Sequence, residues 1–185
     1  SLDGMDAALV RFTGPTRAEL VAFSSRPYDK DERAKVRAAV EGRAAAPALA
    51  RLHVLIAEWA AEAVQAVLHA GGVRADEVDG IAFPGQTIWH EPPIVSWQLG
   101  EPAVLAEAFG VRVVSGFRAR DVAAGGQGAP LVPMADLLLF SDAKLNRVLL
   151  NLGGMANITR VPGGGRDAGA IAFDTGPGMA IIDAV

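Results

Sequence analysis

The stretch Arg147-Val148-Leu149-Leu150-Asn151-Leu152-Gly153-Gly154-Met155-Ala156-Asn157-Ile158-Thr159-Arg160-Val161 decides how the rest of the chain is read. Its apolar and β-branched residues predict two strands, Arg147 to Leu152 and Asn157 to Val161, with the glycine pair supplying the turn between them. Working downstream, Gly163-Gly164-Gly165 turns the chain toward a third apolar segment, Ala170 to Phe173. That segment runs into Asp174-Thr175-Gly176-Pro177-Gly178, a carboxylate followed by turn chemistry. A mixed α/β domain is therefore expected to open here. Ala180 to Val185 read as a helix still running where the sequence stops, and the first residue is Ser1 rather than methionine, so both ends are expected to be truncations.

Working upstream, Asp121-Val122-Ala123-Ala124-Gly125-Gly126-Gln127-Gly128-Ala129-Pro130 is poor in bulky side chains and marks an expected boundary. It divides a first α/β domain, residues 1–128, from a second, residues 129–185, which begins with a connecting helix over Leu131 to Phe140. In the first part, Asp6 to Phe12 and Leu20 to Phe23 flank Thr13-Gly14-Pro15, the pattern of a hairpin. Asp29 to Ala70 is rich in helix formers and reads as two helices divided near Pro47. Leu52, Leu55, Ile56, Trp59, Ala63, Ala66 and Val67 recur at helical spacing, a stripe that predicts core rather than a cofactor site, and Gly71-Gly72 supplies a left-handed stop. A strand over Gly80 to Phe83, a helix over Pro102 to Phe109 and a β-branched run from Val111 to Val114 complete an alternation of strands and helices. No repeat of fixed period is present.

Composition narrows the function. The 185 residues carry 21 acidic against 17 basic side chains, a net charge of -4, with no basic cluster to meet a nucleic-acid backbone or an anionic membrane. The absence of cysteine removes disulfides, a thiolate nucleophile and sulfur-based zinc sites. Apolar runs such as Leu137 to Phe140 fall well short of the roughly 18 residues of a membrane span, so a soluble, cytoplasmic protein is expected. His53, His69 and His90 lack the spacing of a transition-metal site, and neither a G-x-S-x-G elbow nor a Walker sequence nor a complete G-x-G-x-x-G occurs.

Three glycine-rich turns remain as chemical candidates: Gly85-Gln86-Thr87, Gly153-Gly154 and Asp174 to Gly178. Turn amides and hydroxyls can hold phosphate oxygens. Asp174 can act as a base or sit near a cation; it can equally cap its turn or a helix starting near Met179. Arg118, Arg120 and Asp121 offer either an anion grip or a surface ion pair.

Together these segments resemble the anhydro-N-acetylmuramic acid kinase family. The matching pieces, in family order, are Ser1-Leu2-Asp3-Gly4-Met5-Asp6, Gly85-Gln86-Thr87-Ile88-Trp89-His90-Glu91-Pro92, Gln98-Leu99-Gly100-Glu101-Pro102-Ala103, Phe117-Arg118-Ala119-Arg120-Asp121, Gly125 to Pro133, Leu150 to Asn157, and Phe173 to Gly178. The resemblance implies an α/β fold of the actin, Hsp70 and hexokinase type, ribonuclease H-like, with a mixed five-stranded sheet flanked by helices in each of two domains. ATP and sugar would lie in the cleft between them. It further implies that the chain holds most of the first, sugar-side domain without its first strand and only the opening of the ATP-side domain.

The implied reaction is ATP-dependent hydrolytic opening of 1,6-anhydro-N-acetylmuramic acid with phosphorylation to N-acetylmuramic acid 6-phosphate, a step of cell-wall recycling. By the same resemblance Asp174 is the general base. Arg120, Gln86, Thr87 and Gly176 bind the amino sugar, and Ser1, Asp3, Gly4, Gly153 and Gly154 surround ATP, with Asp3 near Mg²⁺. The complete protein could form a homodimer. Another sugar or carboxylate kinase of the same fold, and a non-catalytic sugar-binding module, are the alternatives. Four positions depart from the family pattern: Pro84 where His is usual, Gly116 where an acidic residue is usual, Ala119 where Arg is usual, and Met179 where Asn is usual.

Overall fold

The computed structural model describes residues 3–153, 155–164 and 169–179. The chain divides into two compact units, one of Leu2–Arg11 and Glu19–Gly128, the other of Phe12–Ala18 and Ala129–Val185. The first elements are the long strands β1 (Gly4–Gly14) and β2 (Arg17–Pro27), paired as a two-stranded sheet around the expected turn. Helix α1 (Lys30–Val40) starts on a capping box: the Asp29 carboxylate accepts the amides of Asp31 and Glu32, each at 2.8 Å, and Glu32 reaches back to the Asp29 amide at 3.1 Å.

Helix α2 (Ala46–Gly71) carries Pro47 in its first turn, where no hydrogen bond is lost, and ends on Gly72 in the left-handed region at φ 63°. Its apolar stripe is the core of the first unit. Leu52, Ile56, Trp59, Ala63 and Val67 are buried as their spacing requires, Ala57, Ala60 and Leu68 join them, and Ala66 faces solvent instead. Tyr28, Val36, Phe83, Ile88, Leu99 and Leu105 close over this face. Ile56 and Leu105 are fully enclosed, so truncating either to Ala costs about 2–5 kcal/mol.

Beyond a turn of 3₁₀ helix (Ala75–Glu77), β3 (Ile81–Ala82) pairs in parallel with β6 (Val113–Val114). Between them lie an antiparallel hairpin of β4 (Gln86–Glu91) and β5 (Val95–Leu99), and helix α3 (Pro102–Phe109). Helix α4 (Phe117–Ala123) follows. The implied five-stranded sheet does not form as one ladder: the described strands group as three pairs and one triplet. Ile81 N donates to Arg112 O and Phe83 N to Val114 O, each at 2.8 Å, and the next residue, Pro84, has no N–H to offer a strand on the other side.

In the second unit, helix α5 (Val132–Phe140) precedes an antiparallel sheet in the order β7 (Arg147–Leu152), β8 (Met155–Val161), β9 (Ile171–Pro177). Helix α5 packs on β8, where Thr159 and Val161 are buried. Val148, Leu150, Ile158, Ile171 and Phe173 share the opposite face by register, and all but Ile158 are more than half exposed. The expected helix over Ala180 to Val185 lies outside the described residues. Among the described residues no helix is long and apolar enough to cross a membrane.

An ion cluster ties the hairpin base to α1 and α2. Arg26 makes a forked pair with Glu32 at 2.9 and 2.8 Å, bonds Glu62, and lies 5.6 Å above the Trp59 ring, which Tyr28 meets at 5.3 Å. The Arg26 hydrogen bonds hold the Glu32 carboxyl below its ordinary value of 4.5, and burial pushes the Tyr28 hydroxyl up to about 12. Because the folded value for Glu32 is depressed, its stabilisation is present above pH 4.5 and is lost as pH falls below that. Thermal unfolding followed from pH 6 to 3 should show a stability loss that is shallower in Glu32→Gln; equal slopes would contradict the pairing. The exposed sheet face generates a second expectation. The chain on its own self-associates in light scattering, and Leu150→Lys shifts it toward monomer, whereas identical profiles would show that this face is not responsible.

Candidate functional site

The first unit holds a cleft of about 210 Å³ beyond the carboxyl ends of the parallel pair β3 and β6. This is the position where open α/β sheets take ligands. Its walls include Phe83, Pro84, Gly85, Ser96, Gln98 and Ala119, and none of the lining residues is charged. Gly85 must be glycine: it sits at φ +68°, and a Cβ there would lie 2.6 Å from the Leu99 carbonyl. Gln86 and Thr87, expected in a turn, instead begin β4. Thr87, His90, Ser96 and Gln98 form one polar network along the hairpin. Gln98 Nε2 donates to Ser96 Oγ at 2.8 Å and to Thr87 Oγ1 at 3.3 Å, and His90 Nδ1 meets Ser96 Oγ at 3.0 Å. The Gln86 amide donates to the Thr87 carbonyl at 3.1 Å.

Helix α4 supplies the other side of the cleft. Among the described residues Arg118 and Asp121 do not pair with each other: Arg118 donates to the Gly128 carbonyl at 2.8 Å, and Asp121 accepts the Gly128 amide at 2.7 Å. They fasten the glycine-rich segment that follows. Arg120 is exposed, has no ion-pair partner among the described residues, and lies one helical turn from Gly116 at the cleft rim.

The second unit presents a different constellation. Asp174 lies opposite Asn157 on β8, which lies opposite Asn151 on β7, so a carboxylate and two amides form a row across the sheet. The strand does not end at Asp174; it continues to Pro177 through a bulge at Thr175, whose hydroxyl donates to the Ala156 carbonyl at 3.1 Å. Bulges of this kind re-aim neighbouring side chains and are frequent beside active sites. Asp174 is exposed and forms no side-chain hydrogen bond among the described residues. Two glycine turns then meet: Met179 N donates to Gly153 O at 2.8 Å, and a Cβ on Gly178 would overlap that same carbonyl. Gly176 follows the bulge and pairs with Ala156.

Asp3 and Gly4 stand at the start of the hairpin in the first unit. The Asp3 carbonyl accepts the Tyr28 amide at 2.8 Å, and a Cβ on Gly4 would overlap the Arg26 carbonyl. Ser1 and Gly154 lie outside the described residues. Ser96 lies in no matched motif, and Gln98, Asn151 and Asn157 lie in matched motifs that assign them no role, since only strand register places them beside the expected residues; the signal in the sequence is polar residues inside otherwise apolar strands.

Comparison with known proteins adds independent weight. The profile described as anhydro-N-acetylmuramic acid kinase matches residues 1–185. The chain is 39% identical over 198 aligned positions to the anhydro-N-acetylmuramic acid kinase of Caldanaerobacter subterraneus subsp. tengcongensis, covering all of this chain and 50% of that protein. It is likewise 39% identical to the enzymes of that name from Bacillus cereus strain AH820 and Bacillus anthracis strain CDC 684, covering 51% of each. The chain thus spans about half the length of the curated relatives it matches. Three of its four departures from the family pattern, Pro84, Gly116 and Ala119, line the one cleft described above. A match over every residue, together with an α/β architecture of the sugar-kinase type, has one reading: the chain belongs to the anhydro-N-acetylmuramic acid kinase family.

Proposed function

We propose that the protein takes part in the ATP-dependent conversion of 1,6-anhydro-N-acetylmuramic acid to N-acetylmuramic acid 6-phosphate, a cytoplasmic step of peptidoglycan recycling. The observation that carries this reading is the Asn151–Asn157–Asp174 row beside the bulged, glycine-bounded end of β9. A carboxylate ionised at neutral pH can accept a proton from water, and adjacent amides can orient that water.

In this mechanism Asp174 takes a proton as water oxygen bonds to the anomeric carbon. The bond from that carbon to the bridging 6-oxygen breaks, and the freed oxygen forms a bond to the γ-phosphorus of ATP as ADP leaves. Gln86, Thr87 and Gly176 contact the sugar, and the Arg120 guanidinium holds its carboxylate through a charge-assisted pair. Asp3 and Gly4, and separately Gly153 with Ser1 and Gly154, take the nucleotide phosphates. Mg²⁺ supplies charge neutralisation on those phosphates when bound. The donor chemistry fits it: phosphate-bound Mg²⁺ asks for only one or two carboxylates, and Asp3 would supply one.

The experiment is incubation of the full-length protein with MgATP and the anhydro sugar, read by mass spectrometry. A product that has gained both water and a phosphoryl group is expected, with Asp174→Asn lowering kcat by about 10²–10⁴-fold. Binding of sugar and nucleotide without any product would favour the binding-module reading, and product only from other sugars would favour a retuned kinase, in line with the changes at Pro84, Gly116 and Ala119. Arg120→Ala should raise KM for the sugar by about ten- to hundredfold with a smaller effect on kcat. Steady-state kinetics with the lactyl group replaced by a neutral one should abolish that difference. Asn157→Leu is expected to lower kcat with little change in KM, and an unchanged kcat would remove Asn157 from the account.

A further inference from the structure

We infer that Gln98 is a substrate-contacting specificity residue, whose side-chain carbonyl accepts the N–H of the sugar's acetamido group. This rests on the sugar-binding role proposed above for Gln86 and Thr87, which follow the cleft residue Gly85 in the chain. Both N–H bonds of the Gln98 amide are engaged, one by Ser96 Oγ at 2.8 Å and one by Thr87 Oγ1 at 3.3 Å. Ser96 is 5% exposed, and its oxygen is shared with His90 Nδ1 at 3.0 Å. In the tautomer that carries its proton on Nε2, His90 Nδ1 accepts the serine proton and leaves the serine oxygen to accept from Gln98. In this orientation the amide nitrogen makes both contacts and the amide oxygen makes neither.

Gln98 Oε1 therefore points away from its own network, and among the described residues it accepts no hydrogen bond. Gln98 lines the cleft, so the acceptor is offered there. The remaining walls are uncharged and carry apolar surface from Phe83, Pro84 and Ala119. A ligand group that combines an N–H donor with a methyl and carries no charge matches this lining. An N-acyl amine does so, whereas an ammonium or a carboxylate would lose its hydration without a counter-charge.

The test compares the full-length wild type with Gln98→Leu and Gln98→Glu. The probes are 1,6-anhydro-N-acetylmuramic acid and its analogue with hydrogen in place of the acetamido group. Binding is read by calorimetry and turnover by mass spectrometry, and thermal melts check folding. Gln98→Leu should weaken binding of the acetamido sugar by about tenfold and leave the analogue within about twofold, with KM moving and kcat nearly constant. Gln98→Glu, which keeps an acceptor, should retain the preference for the acetamido sugar. Equal weakening toward both sugars in Gln98→Leu would mark a merely structural residue and overturn the inference. Binding with this pattern but no phosphoryl transfer would overturn the kinase reading alone, and wild-type binding of neither sugar would overturn both.

Discussion

The buried stripe of α2 is the constraint on which the first unit depends. Ile56 has no solvent exposure, and Gly100 rests on it and on Phe83 so closely that a Cβ at Gly100 would lie 2.6 Å from the phenyl ring and 3.2 Å from Ile56. The same helix reaches out with His53, whose Nδ1 accepts the Gly100 amide at 2.9 Å while its carbonyl accepts the Glu101 amide at 3.0 Å. Glu101 in turn caps α3 through the Ala103 amide at 3.0 Å. One helix face thus fixes where β5 ends and α3 begins, and the cleft inherits its shape from that junction. A one-methylene change at Ile56 would be transmitted to the cleft wall, because a close-packed interior leaves no slack to absorb it.

The polar groups placed on this scaffold divide by task. Arg118 and Asp121 are consumed in holding the chain at Gly128, and Ser96 with His90 are consumed in holding Gln98. Arg120 and Asp174 are left without side-chain partners among the described residues. That contrast is physically informative: groups meant for a ligand must keep hydrogen-bonding capacity in reserve, and their neighbours supply the order that lets them do so. In the second unit the bulge at Thr175 and the close approach of Gly178 to Gly153 serve the same end with backbone alone.

Much of the architecture was legible in the sequence, for reasons that can be named. The hairpin follows from alternation around Thr13-Gly14-Pro15, α2 from its stripe and Gly72 stop, and α3 matches the helix expected over Pro102 to Phe109. The β4–β5 hairpin was missed because the bulge at Ile88 switches the faces of the strand midway and spoils the period-two signal. Helix α4 was missed because Gly116 gives it no side-chain cap and it is only seven residues long. The local motif at Asp174 could be read, yet its row with Asn151 and Asn157 could not, since register across three strands is a tertiary fact. Likewise the departures at Pro84, Gly116 and Ala119 are scattered in sequence and meet only when β3 and β6 pair.

In the proposed reaction of the full-length protein, water is activated at the anomeric carbon and the phosphoryl group passes to the released oxygen. The most direct test is turnover of the full-length protein in ¹⁸O-labelled water, with quenched product fragmented by mass spectrometry. The account predicts one label on the anomeric oxygen and none in the phosphate. Label in the phosphate, or phosphorylated sugar that still carries its anhydro bridge, would contradict it.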